Sequence, residues 1–187
     1  QTVGSKNVFE FADKTAPIFP VFLRDDNGEL VPDPIFGGNQ LDYGSFSGFR
    51  TRPQSDGLNP IGSAWYDFVG TDRHELNGNV SLDFNITENL SFENKFGAQY
   101  AIDRFTSADN AFYGGAQGDG GTLFKEDQET YTINVLNLLR YNNQFGDHTL
   151  EVLAAHEFNN YEFNETNAFK TKQVAQDHQF GNQDQRL

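Results

Sequence analysis

The stretch RHELNGNVSLDFNITENLSFENKFGAQYAID, residues 73–103, decides how the rest of the chain is read. Its even positions are Leu76, Gly78, Val80, Leu82, Phe84 and Ile86, then Leu90, Phe92, Phe96, Ala98, Tyr100 and Ile102. Its odd positions are Glu75, Asn77, Asn79, Ser81, Asp83 and Asn85, then Ser91, Glu93, Lys95, Gln99 and Asp103. One face is apolar and the other polar, with a period of two, which is the alternation of a β-strand. Each strand is about 14 residues long, or about 46 Å at roughly 3.3 Å per residue, against about 17–20 Å for a common globular strand. Long amphipathic strands joined by a tight turn mark a hairpin of a transmembrane β-barrel. The expected lipid-facing residues are Leu76, Val80, Leu82, Phe84, Ile86, Leu90, Phe92, Phe96, Tyr100 and Ile102.

Parity fixes the expected turn. If even positions share a face on both strands, paired residue numbers must sum to an even number. A three-residue loop, Thr87-Glu88-Asn89, pairs Ile86 with Leu90 and satisfies this. Such loops need a left-handed third residue, which Asn tolerates. The register then sets Phe84 on Phe92, Val80 on Phe96 and Leu76 on Tyr100. Asn94 is the exception on the apolar face, opposite Leu82, either at a bulge or near a membrane interface.

A second, less regular hairpin follows. Tyr131, Ile133, Val135, Leu139 and Tyr141 alternate at odd positions, and Leu150, Val152, Ala154 and Phe158 at even ones. Pairing Asn143 with His148 encloses Gln144-Phe145-Gly146-Asp147 as a four-residue turn and puts Tyr141 opposite Leu150 and Leu139 opposite Val152. Leu136 and Leu138 fall on the polar face, and Asn137 and His156 on the apolar one. Past Phe163 the chain turns polar.

Around the hairpins lie loops. Residues 1–70 are expected to form an extracellular loop region with a short helix over 7–16, capped by Asn7 and stopped at Pro17. A small hairpin should follow, from Ile18–Leu23 through Asp26-Asn27-Gly28 to Glu29–Val31. Residues 32–62, rich in Gly, Pro, Asn and Ser, read as a long surface loop. Residues 71–165 hold the two transmembrane hairpins, with an extracellular loop at 107–126 that carries five glycines. Residues 166–187 begin a further extracellular loop. The fold class is therefore all-β: four strands in two long hairpins, part of a transmembrane antiparallel β-barrel with long extracellular loops. Short turns face the periplasm and long loops face outside. Four strands leave two edges unpaired, which lipid does not tolerate, so the remainder of the same barrel must come from elsewhere.

Composition agrees. The 187 residues include 19 Phe but only 36% hydrophobic residues, as expected when one face meets lipid and the other a wet lumen. A net charge of −14 argues against nucleic acid as a partner. With no Cys there are no disulfides or thiolate metal sites. No helical run is long enough to span a bilayer. The sequence starts at Gln1 without signal peptide or initiator Met, and is expected to be an internal piece of a larger polypeptide or a processed product.

Five stretches together resemble the SusC/RagA-type family of TonB-dependent outer-membrane transporters of Bacteroidetes. They are FEFADKTAPIFPVFLRDDNGEL (9–30), RPQSDGLNPIGSAW (52–65), RHELNGNVSLDFNITENLSFENKFGAQY (73–100), FYGGAQGDGGTLFK (112–125) and LLRYNNQFGDHTLEVLAAHEF (138–158). The resemblance covers most of the chain, and its specificity lies in the order and spacing of the pieces. It implies a bacterial outer-membrane barrel with a plug domain, which imports glycans or peptides with energy from TonB. Its implied partners are a SusD-like surface lipoprotein, TonB through the plug, outer-membrane lipid and an oligosaccharide or peptide substrate. The family's plug, TonB box and C-terminal strand have no counterpart in this sequence. The competing reading is a soluble all-β carbohydrate-binding module, disfavoured by strands too long and loops too uneven for a sandwich.

No catalytic constellation emerges, so no enzyme activity and no cofactor are expected. His74, His148, His156 and His178 are dispersed and lack ligand spacing; each reads as a polar strand or loop residue. Asp25-Asp26-Asn27-Gly28-Glu29 reads as a hairpin turn rather than a calcium loop, whose twelve-residue spacing it lacks. The ligand-contact candidates are the loop residues Trp65, Tyr66, Tyr113 and Asp119, because sugars stack on aromatic faces with carboxylates at the ring edge. Packing of these rings among loops, partner lid or interfacial belt is the favoured reading over ligand contact.

Overall fold

The computed structural model describes residues 2–4, 9, 13, 17–47 and 51–173. The helix expected over 7–16 lies outside the described residues, apart from Phe9 and Asp13, which are helical. The fold is all-β, with four long antiparallel strands in one open sheet. They are β2 (Phe68–Thr87), β3 (Leu90–Asp109), β4 (Thr122–Phe145) and β5 (His148–Thr171). A three-residue strand, β1 (Thr2–Gly4), adds to β2, with Thr2 opposite Thr71 and Gly4 opposite Val69. The sheet order is β1-β2-β3-β4-β5, so every strand pairs with its neighbour in sequence. One short helix, α1 (Pro60–Tyr66), precedes β2.

The strands run to 20 and 24 residues, longer than the alternation alone indicates. β3 continues to Asp109 and β4 begins at Thr122, which shortens the loop expected at 107–126. β5 passes the polar turnover after Phe163 and ends at Thr171. Polar residues on both faces still extend a ladder, because backbone pairing does not depend on which face is wet.

Side-chain contacts give the registers. Arg73 meets Asp103 at 3.0 Å and Phe84 stacks on Phe92 at 6.5 Å, both on the register that sets Ile86 opposite Leu90. The first hairpin is thus paired as its parity requires, but its turn differs. β2 includes Thr87, and Asn89 is not among the residues with positive φ. The Thr87 hydroxyl accepts the Asn89 N–H at 3.3 Å, so a side-chain turn replaces the expected left-handed residue.

The second hairpin corrects the expected register by two residues. Asn142 donates to Glu151, Asn137 lies against His156, Asn159 donates to Asn134 and Gln128 donates to Glu165. All four pairs belong to the register that sets Phe145 opposite His148. The turn is then Gly146-Asp147 alone, with Gly146 at φ +62°. That is the two-residue turn with glycine first, whose twist suits the flanking strands. Tyr141 faces Val152 rather than Leu150, and the apolar face survives because a shift of two preserves parity.

The exceptions on that face form a row. Asn94 Nδ2 donates to Asn137 Oδ1 at 2.6 Å, and Asn137 Nδ2 lies 3.4 Å from His156 Nδ1. The register with β2 is the same at Phe92 and at Asp103, so Asn94 sits at no bulge on that side. Three polar side chains, one each from β3, β4 and β5, satisfy one another amid the apolar stretch of that face. Removing only the middle one leaves two polar groups without their partner, which is worse than removing all three. Asn137→Leu should cost about 1–2 kcal/mol, whereas leucine at positions 94, 137 and 156 together should recover most of it. Urea unfolding in detergent checks both variants; equal losses would show that the row is not coupled.

The chain divides into two compact units. One comprises residues 1–72, 105–126 and 167–187, the other residues 73–104 and 127–166. The second holds the body of the sheet just described. The first holds the loops and the strand ends that carry them.

Candidate functional site

The loop unit builds its own core. The Asp25 carboxylate accepts the N–H groups of Asn27 and Glu29, both at 2.9 Å, and so fixes the turn expected there. Single bridges follow on either side, Arg24 with Leu30, Pro32 with Asn39 and Phe22 with Leu41. The small hairpin therefore exists as isolated rungs rather than regular strands. Residues 32–62 have little regular structure, as expected, but they are not surface throughout. Leu41 and Tyr43 are buried there, and Tyr113 from the second loop packs with them.

Polar groups lock this core. Arg52 is 3% exposed. It donates through Nη2 to the Asp42 carbonyl at 2.7 Å and pairs with the Asp42 carboxylate at 3.1 Å. Its Nη1 donates to the Leu58 carbonyl at 3.0 Å. Asn59 donates to the carbonyls of Val21 and Asp42, and its Oδ1 accepts from the N–H groups of Ile61 and Gly62. One amide thus ties three segments and caps α1, with Pro60 at the first helical position.

Close approach of α1 to Tyr43 requires glycine at position 62. A Cβ there would stand 1.7 Å from the Tyr43 hydroxyl and 3.2 Å from Leu41 Cδ1. Tyr43 is stiff and buried, so it has no easy retreat. Gly62→Ala should destabilise the loop core by about 1–3 kcal/mol through overpacking. Limited proteolysis of residues 51–72 reads this loss; unchanged protection would mean the ring has room to move.

Outside this core lies a group of rings. Phe36 stacks on Tyr66 at 4.1 Å and 15°. Trp65 stands at 70° to Tyr66, and Phe112 at 79° to Phe36. Tyr113 lies beneath, 5.9 Å from Phe36 and 5.8 Å from Tyr43. Phe36, Trp65 and Phe112 keep large exposed areas. Of the four residues singled out in sequence, Trp65, Tyr66 and Tyr113 belong to this cluster, with Tyr113 on its buried side. Asp119 sits exposed in a 3-10 turn at Gln117–Asp119, where its carbonyl accepts the Lys172 N–H. The ring contacts do not involve it.

Sequence reading missed Phe36, Phe112 and Asp33. Asp33 is buried, and its Oδ1 accepts from the Ile35 N–H at 2.8 Å, the Phe36 N–H at 3.1 Å and the Tyr113 hydroxyl at 2.7 Å. The Asp33-Pro34 pair before Phe36-Gly37-Gly38 is a turn signal, but nothing local shows that residue 113 completes it. Burial raises the phenols of Tyr43, Tyr66 and Tyr113 above the ordinary tyrosine range. Asp33 raises Tyr113 further through a hydrogen bond and its charge, and Tyr66 through its charge, whereas at Tyr43 the charge of Asp67 comes ahead of that of Asp33.

The end of β5 is tied into the same unit. Lys172 takes a positive φ of 59°, Gln173 N–H donates to the Gly120 carbonyl, and Gln173 Nε2 donates to the carbonyls of Asp109 and Thr122. The side-chain amide bridges the two strand ends from which the second loop leaves. Among the described residues, no group of three or more His, Cys, Asp or Glu is placed to hold a metal ion. No protein-family model matches the chain, and no curated protein matches it.

Proposed function

We propose that this chain is a segment of an outer-membrane TonB-dependent importer of the SusC/RagA type, taking up glycans or peptides together with a SusD-like surface lipoprotein. The observation that carries the reading is the pair of hairpins built from 20- and 24-residue strands, each strand with an apolar stretch on the same face of the sheet. A soluble sandwich has little use for strands of this length, whereas a tilted barrel wall extends them past the apolar band. In this reading the even residues from Leu76 to Ile102 meet lipid and the odd ones face a wet lumen. Short turns at Glu88-Asn89 and Gly146-Asp147 face the periplasm, and the long loops before β2 and between β3 and β4 face outside. The rest of the barrel closes on the sheet's edges, and a plug couples it to TonB. Exposed rings at Phe36, Trp65 and Phe112 are then the surface available to a ligand or a lid.

Fractionation with peptide mapping tests this. Peptides of this sequence should be found in the outer-membrane fraction, in a polypeptide many times larger than the 21.0 kDa of the chain. A soluble band near that mass would sink the importer and leave the stand-alone β module.

A further inference from the structure

We propose that the ring cluster of Phe36, Trp65, Tyr66 and Phe112, backed by the buried carboxylate of Asp33, binds an alkylammonium group, so that the favoured ligand bears free amines. This deepens the importer reading by naming a ligand class, and rests on that reading only for where the ligand comes from.

Among the described residues two carboxylates are buried in the loop core, and they differ. Asp42 is neutralised by Arg52 at 3.1 Å. Asp33, 6% exposed, has three hydrogen-bond donors on Oδ1, none of them charged, and an Oδ2 that is buried without a hydrogen-bond partner. A buried carboxylate normally has a cation against it, because uncompensated charge in a poorly solvated site is costly. Here, among the described residues, the side chain hydrogen-bonded to it is the phenol of Tyr113. Tyr113, whose hydroxyl is on Asp33, lies 5.9 Å from Phe36 and 6.4 Å from Tyr66. The raised phenol of Tyr66 reports the same negative field at the rings, after burial.

Ring faces carry negative quadrupole charge, and a cation over them is attracted most strongly by Trp. Trp65 is 55% exposed, Phe112 42% and Phe36 38%, so their surfaces are accessible to a ligand. A neutral sugar would use the stacking area but not the field. An ammonium group uses both, and the chain's net charge of −14 favours its approach. Lysine side chains of a peptide and the amines of a glucosamine polymer both supply that chemistry.

Trp65 is the one tryptophan in the sequence and lies in the site, which gives the test its readout. The purified protein in detergent is titrated at about 0.15 M salt, where long-range surface attraction is screened. The probes are trilysine, the glucosamine trimer, maltotriose and trilysine acetylated on its side-chain and terminal amines. Calorimetry gives affinity, and the emission difference between wild type and Trp65→Phe gives location. At least one free-amine probe should bind saturably and change Trp65 emission, and which one does identifies peptide or amino sugar as the source. Trp65→Leu, at an exposed ring, should weaken that binding about two- to fivefold. Asp33→Asn should weaken it roughly three- to tenfold. Maltotriose or the acetylated peptide binding as tightly, no binding by either amine probe, or an affinity unchanged in Trp65→Leu would overturn the proposal. If Asp33→Asn misfolds, the Trp65→Leu and acetylation arms still decide it. The titration requires no transport, so an outer-membrane protein that ignores both amines would sink this inference and leave the importer standing.

Discussion

Replacing Arg52 with Ala should destabilise the loop core by about 3–5 kcal/mol, the usual penalty for stripping one partner from a buried ion pair. Arg52 is nearly inaccessible, its guanidinium side chain 1% exposed and that of Asp42 10%. Its loss leaves the Asp42 carboxylate without a cation and the Leu58 carbonyl without this donor. It also removes a cation from the face of Phe19, 5.5 Å away. Lysine cannot substitute, because one ammonium does not reproduce a planar fork with two arms on separate segments. Arg52→Met combined with Asp42→Asn should cost less than Arg52→Ala alone, since no charge is then left buried. Urea-induced opening followed by Trp65 emission reads all three variants. A loss below about 1 kcal/mol for Arg52→Ala would place the pair in water rather than in a core.

Neighbouring positions on β2 should behave oppositely toward arginine. Val80→Arg puts a charge on the apolar face and should cost about 2–4 kcal/mol near the bilayer midplane if that face meets lipid. Asn79→Arg points the other way and should be tolerated. Its side chain lies across Gly97 of β3, where a Cβ would come within 2.8 Å of Asn79 Oδ1, so glycine keeps that part of the polar face open. Folding into lipid vesicles of stated thickness measures both. Equal tolerance would overturn the lipid-facing assignment, and a larger loss at position 79 would reverse it.

Alternation makes the sheet legible in the residues themselves. From Leu76 to Ile102, side-chain parity gives strand type, face and the pairing of Ile86 with Leu90. The second hairpin is legible in face but not in register. Gln144 and Phe145 read as turn residues, although Gly146-Asp147 is itself a two-residue turn signal. The polar row is unreadable for a like reason, since Asn137 meets His156 only once that register is set, and meets Asn94 only once β3 and β4 are paired across the second loop. The loop core hides more deeply. The Tyr113 hydroxyl and Asp33 are 80 residues apart in sequence, and Asn59 and the Val21 carbonyl 38. Contacts of that span leave no periodic trace, so Tyr66 and Tyr113 are visible as aromatics but not as floor and wall of one cluster.

The sheet order has a kinetic consequence. Each long strand pairs with the one synthesised just before it, so the sequence separation across each ladder stays near its minimum. No long loop must close before the first rungs form, and the loop-closure entropy is met in small instalments. The sheet can therefore be laid down in chain order, β2 and β3 first among the long strands, each new strand templated on the edge its predecessor offers. At every stage of such growth the newest strand offers its open edge to the strand made next, and this limits the time in which two half-built chains can pair there instead.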